Sequence, residues 1–69
     1  MTVINHIREI RLQKGITQIQ MAEDLQVTRQ TINAIEKNKY NPSLELALKL
    51  AEYFNMPFEE LFYLKKEGK

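Results

Sequence analysis

Apolar residues recur along the chain in short bursts at helical spacing, and each burst is bracketed by residues that start or stop a helix. Ile4, Ile7 and Ile10 form the first stripe, with Asn5 able to cap its start and Gly15 placed to stop it. Thr17-x-x-Gln20 then has the form of a capping box, followed by Met21, Ala22 and Leu25 as one buried face. Gln26 and Val27 read as a turn. Thr28 offers its hydroxyl to the free N–H groups of a third helix, whose inward residues are Ile32 and Ile35. Pro42-Ser43 is a restart signal, with Ser43 as cap of a fourth helix. Leu44, Ala47, Leu48 and Ala51 give that helix an i, i+3, i+4, i+7 stripe, which Leu46, Leu50, Tyr53 and Phe54 widen beyond one face. Asn55 stands where a left-handed terminal residue belongs. Pro57 opens a short fifth helix containing Phe58, Leu61 and Phe62. At the ends, Thr2-Val3-Ile4 is β-prone, and Phe62-Tyr63-Leu64 suits a strand as well as a last helical turn. Two such ends can pair into a small two-stranded antiparallel ribbon.

The second and third helices are separated by only a few residues, so they must cross sharply, and a sharp crossing needs a small side chain where the helices touch. Ala22 meets that need, with Ile32 and Ile35 beneath it. The set Met21, Ala22, Leu25, Val27, Ile32 and Ile35 therefore fixes a helix-turn-helix unit over about residues 17–37. Periodicity leaves Arg29, Gln30, Asn33 and Lys37 on the outward face of the third helix, with Thr31 at its edge. Arg can form two parallel hydrogen bonds to a guanine edge, and Gln or Asn can do so to adenine, so this face suits reading of the major groove. In an arbitrary helix the same residues would be ordinary solvated surface, and the chemistry becomes specific only in context.

Composition narrows the function. Sixty-nine residues amount to one domain, taken as residues 1–69, and a core of this size is marginally stable. There is no Cys and one His, His6, so disulfides, thiolate metal sites and multi-histidine clusters are excluded, and neither metal nor cofactor is expected. The chain has no phosphate-binding Gly loop and no nucleophile–base pair, which argues against an enzyme. No apolar run approaches the ~20 residues that cross a bilayer, and the N-terminus lacks a signal-peptide pattern. Net charge is +1, but it is unevenly spread: residues 1–39 carry six basic and four acidic side chains, residues 40–69 four and five. The basic excess therefore falls on the part that contains the helix-turn-helix unit.

From Ile7 to Phe62 the chain resembles the Cro/C1-type helix-turn-helix family, also called the xenobiotic-response-element family. The resemblance rests on Ile7-x-x-Ile10-Arg11, Gly15-Ile16-Thr17-Gln18 and Met21-Ala22. It continues through Leu25-x-Val27-Thr28-Arg29-x-Thr31-Ile32-x-x-Ile35-Glu36 and Asn41-Pro42-Ser43-Leu44, then Leu48-x-x-Ala51 and Glu59-Glu60-Leu61-Phe62. The length and ends resemble compact dimeric repressors of that family, in which terminal strands flank five helices. The implied fold is all-α: a five-helix lambda-repressor-like domain, with the terminal ribbon as an addition. The implied function is transcriptional regulation in the cytoplasm of a bacterial or archaeal cell, or by a phage-encoded protein. It would act through a palindromic double-stranded DNA operator bound by a homodimer, most simply as a repressor.

The resemblance also implies roles. Arg29, Gln30, Thr31 and Asn33 match base-contacting positions. Gln18, Thr28, Lys37, Asn38, Lys39 and Tyr40 match positions that meet phosphates, Gln18 at a helix N-terminus where the dipole favours an anion. Arg11 and Glu36 match an ion pair that orients the third helix. Gln26, Asn38 and Asn55 stand where relatives often carry Gly, a change that Asn tolerates better than Gln. Pro57 replaces the usual capping Ser or Thr. A chain this short can hardly bury all its C-terminal apolar side chains, so Leu46, Leu50, Tyr53, Phe58, Leu61 and Phe62 are candidates for the dimer interface. No membrane partner or small-molecule effector is evident. The alternative is an antitoxin or protein-interaction module of the same fold, for which residues 65–69 offer little toxin-binding length.

Overall fold

The computed structural model describes residues 2–66; of the tail weighed as a toxin-binding segment, residues 67–69 lie outside them. Seven elements follow in order: β1 (Thr2–Asn5), α1 (Ile7–Gln13), α2 (Gln18–Leu25), α3 (Arg29–Glu36), α4 (Leu44–Phe54), α5 (Phe58–Leu61) and β2 (Phe62–Lys65). The strands pair antiparallel, Thr2 opposite Lys65 through to Asn5 opposite Phe62, so the five helices lie between the two halves of one ribbon.

Local chemistry explains the boundaries. Thr17, Thr28 and Ser43 each accept a backbone N–H at the third residue beyond, from Gln20, Thr31 and Leu46. The capping box at α2 is only half made, because the Gln20 side chain turns instead to Asp24 at 2.8 Å. At their C-termini, α1 to α4 close in the same way. Gly15, Gln26, Asn38 and Asn55 take positive φ (71°, 60°, 60° and 55°), and the next residue's N–H reaches back five positions. Those bonds run from Ile16 to Arg11, Val27 to Ala22, Lys39 to Ala34 and Met56 to Ala51, at 2.9–3.1 Å. Gln26 thus adopts the left-handed conformation in spite of its Cβ.

The core gathers Ile7, Ile10, Met21, Ala22, Leu25, Ile32, Ile35, Leu46, Ala47, Leu50, Phe54, Leu61 and Phe62. One expectation is corrected. The buried stripe of α4 is Leu46, Ala47, Leu50 and Phe54, while Leu44 and Leu48 are 72% and 54% exposed. With Leu at 44, 46, 48 and 50 both faces are apolar, and packing of Phe54 into the core decides which turns inward. Of the candidate interface residues, Leu46, Leu50, Leu61 and Phe62 are consequently core residues of the single chain, Leu50 and Leu61 with no exposed surface at all. Tyr53 is half-buried and Phe58 exposed.

Candidate nucleic-acid interface

Thr28 ends the short turn after α2, and its hydroxyl both accepts from Thr31 N at 3.1 Å and meets the Thr31 hydroxyl at 2.9 Å. This fixes the first turn of α3 with Arg29 and Gln30 exposed to solvent. Asn33, one turn later, lies on the same side. Gln18, the first residue of α2, comes alongside, so that Gln18, Arg29, Gln30 and Asn33 together line one open cleft of about 270 Å³. Four residues singled out for base or phosphate contact are thus brought together from two helices.

A chain of hydrogen bonds runs beneath that cleft. Arg11 Nε donates to Glu36 Oε2 at 2.6 Å and its second terminal nitrogen to Glu36 Oε1 at 3.2 Å. The remaining terminal nitrogen donates to the Ile16 carbonyl at 2.8 Å. The pair is nearly dry, the side chains being 8% and 1% exposed. Glu36 Oε1 also accepts from Gln18 Nε2 at 3.0 Å, and Gln18 Oε1 accepts from Arg29 Nε at 3.2 Å. Gln18 Nε2 also approaches Asn33 Oδ1 at 3.4 Å. Each guanidinium has a definite role in this chain. Arg11 spends its donors on the scaffold, whereas Arg29 is held through Nε, which leaves the two terminal nitrogens, the pair that matches a guanine edge, outside these contacts.

Lys37, Asn38, Lys39 and Tyr40 follow α3 as an exposed loop that turns at the left-handed Asn38. On the other side of α2, the Tyr53 hydroxyl donates to Asp24 Oδ2 at 2.6 Å and ties α4 to the helix-turn-helix unit. Burial, then the hydrogen bond and charge of Asp24, push the Tyr53 phenol up to about 12.

The structure also places two features that the sequence reading missed. Asn5 is a buried polar residue, and its amide reaches the last turn of α3. Around Phe58, the exposed Leu44, Tyr63 and Leu64 and the half-buried Val3 and Pro42 line one apolar groove of about 470 Å³, while Leu12, Ile19, Tyr40 and Leu48 are exposed outside it. Leu44 carried a usable signal, since α4 has more apolar residues than one face can bury; the reach of Asn5 to α3 carried none. Among the described residues, no group of three or more His, Asp or Glu side chains is placed to hold a metal ion, and no helix is long and apolar enough to cross a membrane.

Residues 7–61 match the helix-turn-helix family HTH_3. The chain is 46% identical over 64 residues to YgzD of Bacillus subtilis (strain 168), an uncharacterized HTH-type transcriptional regulator, covering 93% of this chain and 97% of that protein. It is 49% identical over 61 residues to an uncharacterized HTH-type transcriptional regulator of Archaeoglobus fulgidus, with 88% and 87% covered. A crystal structure of a Bacteroides fragilis protein for which DNA binding is proposed superposes with a TM-score of 0.82 at 29% identity, covering 90% of this chain and all of that one. Match, identity and fold agree with the cleft geometry, and the chain belongs to the Cro/C1-type helix-turn-helix family of transcriptional regulators.

Proposed function

We propose that the protein binds a palindromic operator as a homodimer, inserts α3 of each protomer into the major groove, and represses transcription by occupying the site. The observation that carries this reading is the convergence of Gln18, Arg29, Gln30 and Asn33 on one cleft backed by the Arg11–Glu36 pair. Arg29, Gln30 and Asn33 read base edges, with Thr31 beside them. Gln18 presents the N-terminus of α2 to a phosphate, and Thr28 and the loop of Lys37, Asn38, Lys39 and Tyr40 follow the backbone. That docking arrangement is the one described generally for phage repressors of this fold.

The dimer forms through the groove around Phe58, where Leu44, Tyr63 and Leu64 are exposed, with Phe58 stacked on the buried Phe62 at 5.0 Å between ring centres. An apolar surface of this kind, continuous from α4 through α5 to the ribbon, suits a self-complementary contact. Selection of bound duplexes from random sequence tests the function. The expected product is an inverted repeat with half-site centres about one helical turn apart, ~10 base pairs. Recovery of unrelated sequences, or of none, would overturn the reading.

A further inference from the structure

Asn5 ends β1 and precedes α1, and it is only 9% exposed. Every part of its amide is engaged. Oδ1 accepts from Ile7 N at 3.1 Å, at the start of α1. Nδ2 donates to the Ile35 carbonyl at 2.9 Å and to Asn38 Oδ1 at 3.1 Å. The Ile35 carbonyl also accepts from Asn38 N at 3.0 Å, so both Asn5 donors fall on the turn that closes α3. On its other side Asn5 is opposite Phe62 in the ribbon, and the adjacent His6 N donates to the Leu61 carbonyl at 3.0 Å. One side chain therefore joins the ribbon, the start of α1 and the left-handed turn from which the exposed loop departs.

The site demands one acceptor and two donors on a short stem. Asp would set its oxygens against two acceptors, Ser lacks the second donor, and Gln is one methylene too long for the same geometry. Asn38, at φ 60°, holds a conformation that a residue with a Cβ adopts at some cost, and the tie from Asn5 holds it there.

We infer that Asn5 is a positioning residue for DNA binding: by fastening the Asn38 turn to the terminal ribbon it sets the loop 37–40 against the phosphate backbone. This rests on the reading that the loop follows the backbone, and the experiment separates the two. Operator affinity is measured over a range of salt for the unmodified protein, Lys39→Ala and Asn5→Ser, with the folded fraction of each determined by circular dichroism. Each phosphate that the protein no longer neutralises lowers the slope of log K against log salt by about 0.9. Lys39→Ala removes one such contact from each protomer of the dimer and should lower the slope by about 1.8; no change there would remove the loop from the backbone and with it the premise. Asn5→Ser should also lower the slope by about one or more while discrimination against mismatched operators is unchanged. A loss of affinity that follows the folded fraction at constant slope would make Asn5 merely structural and overturn the inference. Should Asn5→Ser fail to fold, hydrogen exchange in the unmodified protein decides. The Asn5 Nδ2 protons and the Lys39 N–H should be released together, and a Lys39 N–H that exchanges tenfold faster than the amide would show the turn opening without it.

Discussion

Removing Arg11 isolates a carboxylate that has almost no water. In Arg11→Met, Glu36 keeps the Gln18 Nε2 bond at 3.0 Å but is deprived of both guanidinium donors, with its side chain 1% exposed. Breaking one side of a buried pair costs about 3–5 kcal/mol, because the other charge is left uncompensated. A chain of 69 residues has a total stability of about 3–10 kcal/mol, so this variant should be marginal. Replacing both partners behaves differently, since two apolar side chains of similar volume recover most of the desolvation cost. The Ile16 carbonyl still loses the Arg11 donor at 2.8 Å, so Arg11→Met/Glu36→Met should lie about 1–2 kcal/mol below the unmodified protein. Urea denaturation followed by circular dichroism supplies all four corners of the cycle, and the coupling should be at least about 2 kcal/mol. Operator affinity should stay reduced even in the stable double variant, because Gln18 has lost the Glu36 acceptor that orients it towards Arg29. Single losses that simply add, to within about 0.5 kcal/mol, would refute the reasoning.

Other expectations follow from the dimer surface, a strained cap and a hydrogen-bonded phenol. Phe58→Asp places a charge in the apolar groove beside Leu44, Tyr63 and Leu64, and should give a folded monomer by sedimentation with much weaker operator binding. Gln26→Gly relieves a left-handed residue that costs about 1–2 kcal/mol, partly offset by the entropy of glycine, and should raise Tm by about 2–8 °C in a thermal melt. Tyr53 should ionise near 12 instead of 10 in an ultraviolet titration compared with Tyr53→Phe. The folded chain then holds a proton that the unfolded chain releases, so the contribution of this group is intact below about 10 and is lost as pH rises towards 12.

The helix boundaries are legible in the sequence because they depend on nearest neighbours. Thr17, Thr28 and Ser43 cap through bonds three residues long, and Asn38 and Asn55 close helices by a preference of their own side chain. The helix-turn-helix unit is legible for a related reason: Ala22, Ile32 and Ile35 are forced together by the shortness of the connection. The inward face of α4 is not, because alternating Leu residues satisfy two stripes and only Phe54, packed by tertiary contacts, selects one. The same ambiguity misplaces the interface residues, since surplus apolar surface is expected at Leu46, Leu50, Leu61 and Phe62, which the core consumes. Asn5 reads as the cap of α1, but the N-cap is His6, whose side chain makes no cap bond, and Asn5 Oδ1 instead accepts from Ile7 N two residues on. Its two donors act across |i−j| of 30 and 33, a distance along the chain at which no local pattern in a single sequence gives notice.

Repeating the random-sequence selection with Arg29→Ala tests the central claim most directly, because it addresses groove reading and twofold symmetry together. Arg29 is held through Nε by Gln18, which leaves its paired terminal nitrogens for a base. The account predicts loss of preference at one base pair in each half-site, at positions related by the centre of the palindrome, with ~1–3 kcal/mol of discrimination gone at each and the remaining preferences intact. An unchanged consensus would contradict the assignment of α3 as the reading helix. Preference lost at a single unpaired position would contradict the symmetric dimer.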